Sequence, residues 1–237
     1  MIPYIIINGV SSRNINGLLV QSLPPITKPK MRTSIEDIDG RDGDIVTTLG
    51  FSAYDKPVTV GLKGDFNIDD IIKYFNSSGK VIFSNEIDKY YNFAIYDTID
   101  FNRLLRYRTA NINLHVQPFK YSSEEPPIIK TVSSGQTVTN INVRNTGNIY
   151  SRPRLEITGA NTITVYIDNE QILSIDLSAQ GETIIIDDFN AVDNNGNFLN
   201  RKVTGDYENL KLPTGEHDVL VTGAASRVAI ERYSRWI

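Results

Sequence analysis

The sequence predicts a mainly β protein with one helix, divided into two domains. Three observations support this fold class: short runs of β-branched and aromatic residues recur along the chain, turn residues separate most of them, and a single segment has a helical repeat of apolar side chains. The length of 237 residues fits two domains of about 100–130 residues each. Hydrophobic residues make up 40% of the chain and charged residues 22%, so both domains can bury a core.

The first domain is predicted to consist largely of strands. Residues 4–7 form a short β-branched run that ends at Asn8-Gly9, a pair typical of a tight turn. Between residues 58 and 62, apolar side chains alternate with others and fall on one face of a strand. Other predicted strands of this domain lie at residues 80–83, 90–96 and 106–119.

One segment, residues 67–79, has a helical repeat. Its apolar side chains recur at positions i, i+3, i+4 and i+7, which places them on one face of a helix. They are Ile68, Ile71, Ile72 and Phe75. Asn67 is a suitable N-cap, and Gly79 follows the last turn. The sequence therefore predicts one amphipathic helix in this domain.

A long excursion between strands is predicted at residues 22–50. This stretch holds several prolines and aspartates together with Gly40 and Gly43, and it has little regular periodicity. Long segments of this kind in a compact domain are usually functional. We expect an arm that extends from the first domain and is mobile when the protein is alone.

A change in composition marks the second domain. The polar, proline-containing stretch at 121–130 is the best linker candidate, which gives domains at 1–125 and 126–237. Short strand-like runs separated by turns follow and predict a β-sandwich. These runs lie at residues 137–143, 154–158, 163–167, 171–176, 183–187, 219–222 and 227–232.

The composition argues against several classes of function. The formal net charge is −4 and the basic residues are scattered, so no surface for nucleic acid phosphates or an anionic membrane is expected. The chain has no cysteine, which excludes disulfides and thiolate metal sites. Residues 1–13 contain only a short apolar run, so neither a signal peptide nor a membrane span is expected.

The titratable side chains do not predict a metal site. His115 and His217 lack the neighbouring ligands that zinc requires, and packing or surface roles are expected for both. The acidic stretches at 39–44 and 193–204 fail the spacing of a calcium loop, which favours polar turns.

Catalytic motifs are absent from the sequence as well. No phosphate-binding loop, dinucleotide fingerprint or nucleophile elbow occurs. The carboxylate pairs Glu124-Glu125 and Asp187-Asp188 are expected to be solvated charges, because neighbours on a strand point to opposite faces. We therefore expect no enzyme, no cofactor and no metal ion.

Carbohydrate binding by the second domain is the alternative function, because small β-sandwiches often bind sugars on exposed aromatic rings. Most aromatic residues there occupy strand-like positions, where a core role is expected. The available rings are Tyr150, Tyr166, Phe189, Phe198, Tyr207, Tyr233 and Trp236.

The elements of the first half occur in a characteristic order. An early strand ending in a turn is followed by the proline-containing segment with Arg32, the element IDGRDGDIV at 38–46, the amphipathic helix, and a closing strand that ends at 118–121. In this order they resemble the N-terminal domain of distal tail proteins from long-tailed, non-contractile bacteriophages. The resemblance implies a β-rich belt domain: a β-sandwich with an amphipathic helix and a long arm.

The second half carries the resemblance to the end of the chain. Its matching features are Asn-x-Gly at 145–147, Arg152-Pro153, Leu-Pro-x-Gly at 212–215 and the ending IERYSRWI. They are similar to the galectin-like β-sandwich that follows the belt domain in that family.

The resemblance implies a structural protein of the virion. Such proteins form a homohexameric hub ring at the tail tip or baseplate, with a belt of N-terminal domains around a central channel. One face of the ring meets the tail tube protein and the other meets the tail-associated or tail-fibre protein, and receptor-binding proteins attach at the periphery. The expected location is the tip of the virion tail, after assembly in the cytoplasm of the bacterial host.

The resemblance also assigns roles to three residues of the arm. It implies that Arg32, Arg41 and Asp42 lie at an interface between subunits or anchor the arm. The alternative for this stretch is a turn that is stabilised by aspartate side chains.

Overall fold

The computed structural model describes residues 2–133 and 138–237, which divide into two units. The first unit extends to Ser123 and includes Ile237, and the second comprises Glu124–Trp236. Each unit has a hydrophobic core of its own. The mainly β class that the sequence predicts is confirmed. That the parts fold separately, as domains 1–125 and 126–237, stays a prediction.

The first unit is built on one antiparallel sheet with the strand order β2-β1-β7-β8-β9-β6-β3. Strands β4 and β5 form a separate two-stranded sheet. The elements are β1 (Ile5–Ile7), β2 (Val10–Ser11), β3 (Leu18–Ser22), β4 (Met31–Glu36), β5 (Ile45–Phe51), β6 (Tyr54–Leu62), α1 (Ile68–Phe75), β7 (Gly79–Phe83), β8 (Lys89–Ala94), α2 (Phe101–Tyr107) and β9 (Thr109–Ser122), with a 3-10 helix at Ser12–Asn14.

Helix α1 is the amphipathic helix that the sequence predicts. Asn67 is its N-cap, and the side-chain oxygen accepts a hydrogen bond from the backbone N–H of Asp69 at 3.0 Å. Ile71 and Phe75 are buried in the core of the first unit, one turn apart on the same face.

The structure adds a second helix, α2, that sequence periodicity did not predict. It has seven residues and buries one of them, Leu104, which is too little apolar repeat to stand out. The carboxylate of Asp100 caps it by accepting from Arg103 N at 3.0 Å, and Arg108 ends it with a left-handed φ of 58°. Polar end signals therefore define this helix.

The predicted excursion is an ordered hairpin instead of an irregular segment. Strands β4 and β5 pair in an antiparallel register, with Ile35 opposite Val46 and a shift between Arg32 and Thr33. The sequence pattern hid these strands because neither has a buried face to impose alternation.

The second unit is one antiparallel sheet with the strand order β10-β16-β12-β13-β14, while β11 also pairs with β16 and β15 with β13. Its elements are β10 (Ile128–Thr131), β11 (Val138–Asn145), β12 (Arg154–Ile167), β13 (Glu170–Asp187), β14 (Asn190–Val192), β15 (Val203–Gly205), β16 (Gly215–Glu231) and β17 (Arg235–Trp236), with 3-10 helices at Asn200–Lys202 and Tyr207–Asn209. Of the predicted run 137–143, Thr137 lies outside the described residues.

Three pairs of predicted short strands are in fact three long bent strands, β12, β13 and β16. The register shifts on both sides of Gly159 and Ala160, so β12 bends there and its two halves line one core. A Cβ at Gly159 would lie 2.5 Å from the carbonyl oxygen of Ala224, so the strands approach closely only because this residue is glycine. The alternation of apolar side chains is interrupted at each bend, so the sequence predicted two short strands where the structure has one long strand.

Candidate functional site: the arm and its root

The most exposed ordered part of the first unit is the arm hairpin, which we define as β4, β5 and their connecting turn. None of its residues is buried. Cross-strand partners share a face, so Met31, Ile35 and Val46 form an apolar stripe along one side. Their exposed fractions are 40%, 60% and 58%. An apolar stripe without cover on an extended hairpin is typical of a contact surface for another protein.

The arm tip, residues 36–44, is dominated by carboxylates. Gly40 and Gly43 take positive φ values of 82° and 78°, and the backbone N–H of Arg41 donates to the carbonyl of Ile38 at 3.1 Å. These features form a compact turn whose side chains point into solvent.

The arm root, residues 23–27, is tied to the body of the first unit. Lys56 of β6 is 2% exposed, and its Nζ donates to the backbone carbonyl of Pro25 at 3.0 Å. The hydroxyl of Tyr54 donates to the carbonyl of Thr27 at 3.4 Å, and Leu23 packs against the core. The arm root is thus held by one buried side chain, Lys56, and by the partly buried side chains of Tyr54 and Leu23.

Aromatic rings surround the ammonium group of Lys56. Its Nζ lies 4.9 Å from the ring centre of Tyr91, 5.4 Å from that of Tyr54 and 5.7 Å from that of Phe83. Burial lowers the pKa of Lys56, and the nearby charge of Glu86 opposes part of this effect. The hydrogen bond to Pro25 and the ring faces provide the solvation that water would otherwise give.

Glu86 completes this buried polar cluster. One carboxylate oxygen accepts from Lys120 Nζ at 2.8 Å, and the other accepts from the hydroxyl of Tyr91 at 3.0 Å. Burial raises the pKa of Tyr91 and the neighbouring charge of Glu86 adds to it, so Tyr91 stays protonated as a donor. The cluster joins β6, β8 and β9 beneath the arm root.

The three predicted arm residues lie at two separate places. Arg32 sits on β4, where its guanidinium donates to the carbonyl of Leu49 across the hairpin at 3.1 Å. Arg41 and Asp42 are exposed at the tip, and within the described residues no ion pair or side-chain hydrogen bond engages either. Roles in an interface or in anchoring the arm stay predictions for all three.

Sequence reasoning missed the residues of the root. Lys56 lies two and four positions before Val58 and Val60, which are both fully buried, so alternation places it on the buried face of β6. A lysine at a core position of a strand was the available signal, because buried lysines are rare and need partners.

The two histidines lie in different units, and each contacts a neighbouring strand or loop through its ring nitrogens. In the first unit, His115 Nδ1 lies 2.7 Å from a carboxylate oxygen of Asp55. In the second, His217 is 8% exposed; its Nδ1 lies 2.6 Å from Asp168 and its Nε2 is 3.0 Å from the carbonyl of Pro213. Across residues 2–133 and 138–237, no cluster of three His, Asp or Glu side chains could hold a metal ion.

The acidic stretch near residue 193 is a polar turn, as the sequence predicts. One oxygen of Asp193 accepts from the backbone N–H groups of Asn195 and Asn197, each at 2.8 Å. Hydrogen bonds from Asn197 and Asn195 lower the pKa of Asp193.

One carboxylate expected to be a solvated charge is not solvated. The side chain of Glu125 is 9% exposed and accepts from both the backbone N–H and the hydroxyl of Ser234, at 2.8 and 2.6 Å. Arg232 lies 3.5 Å from the same carboxylate. The middle of the predicted linker therefore lies inside the hydrogen-bond network of the second unit.

The aromatic residues of the second unit give limited room for sugar stacking. Tyr150, Phe189 and Phe198 are its exposed rings, at 38%, 45% and 74%. The guanidinium of Arg152 lies 4.3 Å from the ring centre of Phe189, and that of Arg235 lies 4.4 Å from that of Tyr150. For two of the three exposed rings, an arginine side chain therefore already covers one face.

Comparison with known structures identifies the fold. The crystal structure of the Dit protein (gp 19.1) of phage SPP1 matches with a TM-score of 0.66 over 98% of this chain and 99% of that chain, at 17% sequence identity. The chain has the fold of the SPP1 Dit protein. That protein is described as a paradigm of the hub adsorption apparatus in phages that infect Gram-positive bacteria.

Two further structures match with lower scores. Both are of the phage p2 baseplate in its activated conformation. The structure with Sr has a TM-score of 0.47 and 11% identity and covers 97% of each chain, and the one with Ca has 0.46, 11% and 98%. Likeness at this level supports no further conclusion about the chain. No protein-family model matches the sequence, and no curated protein matches it.

The described part of the chain contains no helix long and apolar enough to cross a membrane.

Proposed function

We propose that this chain is a structural component of a phage tail tip: six copies form a hub ring that joins the tail tube to the tail-associated host-recognition proteins. The supporting observation is the SPP1 Dit fold, which extends over nearly the whole chain and includes both units. In this proposal the chain is not an enzyme and acts through its surfaces.

The arm hairpin supports self-assembly in particular. A closed ring requires two different surface patches on each copy, one of which meets the other patch on the next copy. The arm supplies one such patch, because it is ordered, apolar along one side and anchored at its root by Lys56. Arg32, Arg41 and Asp42 fall within this patch and are the interface residues we propose.

The proposal is tested by measuring the mass of the purified protein by light scattering across concentration, with negative-stain images of the same samples. We expect sixfold rings with an open centre. A protein that stays at its monomer mass of 26.6 kDa at every concentration, both alone and with tail tube protein added, contradicts the proposal.

A matched variant separates assembly from folding. Replacing residues 31–51 with a short Gly-Ser linker removes the arm hairpin and leaves both cores intact. We expect this variant to be a monomer with an unchanged thermal unfolding midpoint. Rings formed by the variant would show that the arm does not hold the copies together.

A further inference from the structure

The arm tip carries an excess of negative charge. Between residues 36 and 44 it has five carboxylates and one guanidinium, and every side chain there is exposed. They are Glu36, Asp37, Asp39, Asp42, Asp44 and Arg41. The formal net charge of the whole chain is also −4, so charges elsewhere balance and the tip accounts for the excess. Apolar Ile35, Ile38 and Val46 lie directly beside these carboxylates, with exposed fractions of 60%, 47% and 58%.

The exposed face of helix α2 carries positive charge. Arg103, Arg106 and Tyr107 are three and four positions apart, which places them on one side of the helix. Tyr107 is 63% exposed, and Arg108 follows directly. The ion pairs described within the first unit involve none of these arginines.

The same face borders a cleft on the surface of the first unit. Its volume is about 550 Å³, and it is lined by Asp100, Asn102, Arg103, Arg106, Tyr107 and Thr109. Asp100 is the single acidic group in this lining, and its carboxylate is already engaged as the helix cap. The cleft therefore offers two guanidinium groups and an aromatic ring to a partner.

We propose that the arm tip of one copy docks on the exposed face of α2 in a neighbouring copy. The carboxylates of the tip complement the arginines of the helix, and the apolar side chains beside the tip can cover Tyr107. This contact rests on the ring assembly proposed above and names the two surfaces that would form it.

The geometry favours a second copy as the occupant. Within one copy both surfaces are exposed to solvent. The six residues of β4 extend roughly 20 Å at the usual rise per strand residue, and the arm tip lies at their far end. A tip and a helix face on every copy give the head-to-tail contact that a closed ring repeats.

Charge reversal tests the contact. The tip variant combines Asp39→Arg, Asp42→Arg and Asp44→Arg, which changes the formal charge of residues 36–44 from −4 to +2, and the helix variant is Arg103→Glu with Arg106→Glu. At a concentration where the unchanged protein forms rings, we expect each variant alone to fall to the monomer mass, about a sixfold drop. An equimolar mixture is expected to restore rings, because each basic tip then meets an acidic helix and each acidic tip meets a basic helix.

The outcomes separate this contact from the hub proposal. Rings that form normally in either variant overturn the contact and leave the hub proposal standing, whereas the absence of rings in the unchanged protein, both alone and with tail tube protein added, overturns both. Restoration in the chain that carries all five substitutions, without restoration in the mixture, means that the tip docks on α2 of its own copy. Failure of both also overturns the contact. The control, Arg144→Glu with Arg201→Glu on exposed positions of the second unit, is expected to form rings normally.

Discussion

The arm hairpin and the β12–β13 hairpin are both long antiparallel ribbons, yet only one of them has a core. In β12 and β13 buried residues alternate with exposed ones, and the buried set includes Ile157 and Ile163 at 0% exposure. In β4 and β5 no residue is buried. Isolated two-stranded hairpins are marginally stable in water. The comparison teaches that the arm has no core of its own and depends on its root, whereas β12–β13 depends on its own packing.

Replacing one isoleucine with alanine in each of the two hairpins should give the largest difference in the free energy of unfolding. Ile157→Ala removes a buried side chain and should lower the free energy of unfolding by about 2–5 kcal/mol. Ile35→Ala, in the arm, should change it by less than about 0.5 kcal/mol because Ile35 is already exposed. Chemical denaturation of both variants measures the contrast. Equal losses would mean that the arm unfolds together with a core.

Added methyl groups at two glycines sharpen the same comparison. Gly159→Ala places a Cβ against the backbone of Ala224 and should destabilise the second unit by about 1–3 kcal/mol. At Gly40, in the arm tip, an added Cβ would meet no atom within 4 Å, but the residue has a positive φ. The strain caused by Gly40→Ala is therefore confined to the turn. Thermal unfolding should detect the first substitution and not the second.

The root of the arm is tested by Lys56→Met, which keeps the apolar stem and removes the donor to Pro25. Losing a hydrogen bond of about 1 kcal/mol should loosen the root and raise amide exchange in the paired strands β4 and β5 about fivefold. Exchange in α1 serves as the internal control and should not change. Unaltered exchange in β4 and β5 would show that Tyr54 and Leu23 suffice to hold the root.

The smallest expected effect concerns the turn that joins β12 and β13. Burial raises the pKa of Asp168, but hydrogen bonds from His217 and from Asp218 N outweigh it, so the pKa lies below its usual 3.8. The resulting stability is present above pH 3.8 and is lost as the pH falls through the lowered pKa. Asparagine also tolerates the positive φ of 51° at this position. As the pH falls through that range, the free energy of unfolding of the Asp168→Asn variant should therefore decrease less than that of the unchanged protein. Denaturation at a series of acidic pH values checks this, and identical pH profiles would contradict it.

The fold class and α1 could be predicted because each rests on a repeat that burial imposes. Ile71 and Phe75 recur at helical spacing since both face the core. Helix α2 and the arm strands bury little or nothing, so their sequences carry no such repeat. The sequence did not predict the bends of β12 and β16. A glycine in a strand indicates that another backbone can come close, but it does not show which strand of the sheet does so.

The candidate site was only partly predictable for a related reason. The acidic turn with Arg41 and Asp42 is visible in the sequence because its residues are neighbours. The root cluster is not, since Lys56 lies on β6, Glu86 in the turn between β7 and β8, and Lys120 on β9. The sequence shows the residue types of such a cluster, and only the sheet order brings them together.

The arm hairpin also has a consequence for protein synthesis in the cell. Each of its two strands leaves one edge unpaired, and its apolar stripe is exposed, which together make a template for unwanted strand pairing and aggregation. Newly made chains would encounter one another through these edges. The carboxylates at each tip repel the tips of other copies, and this repulsion opposes fibrous association of the arms.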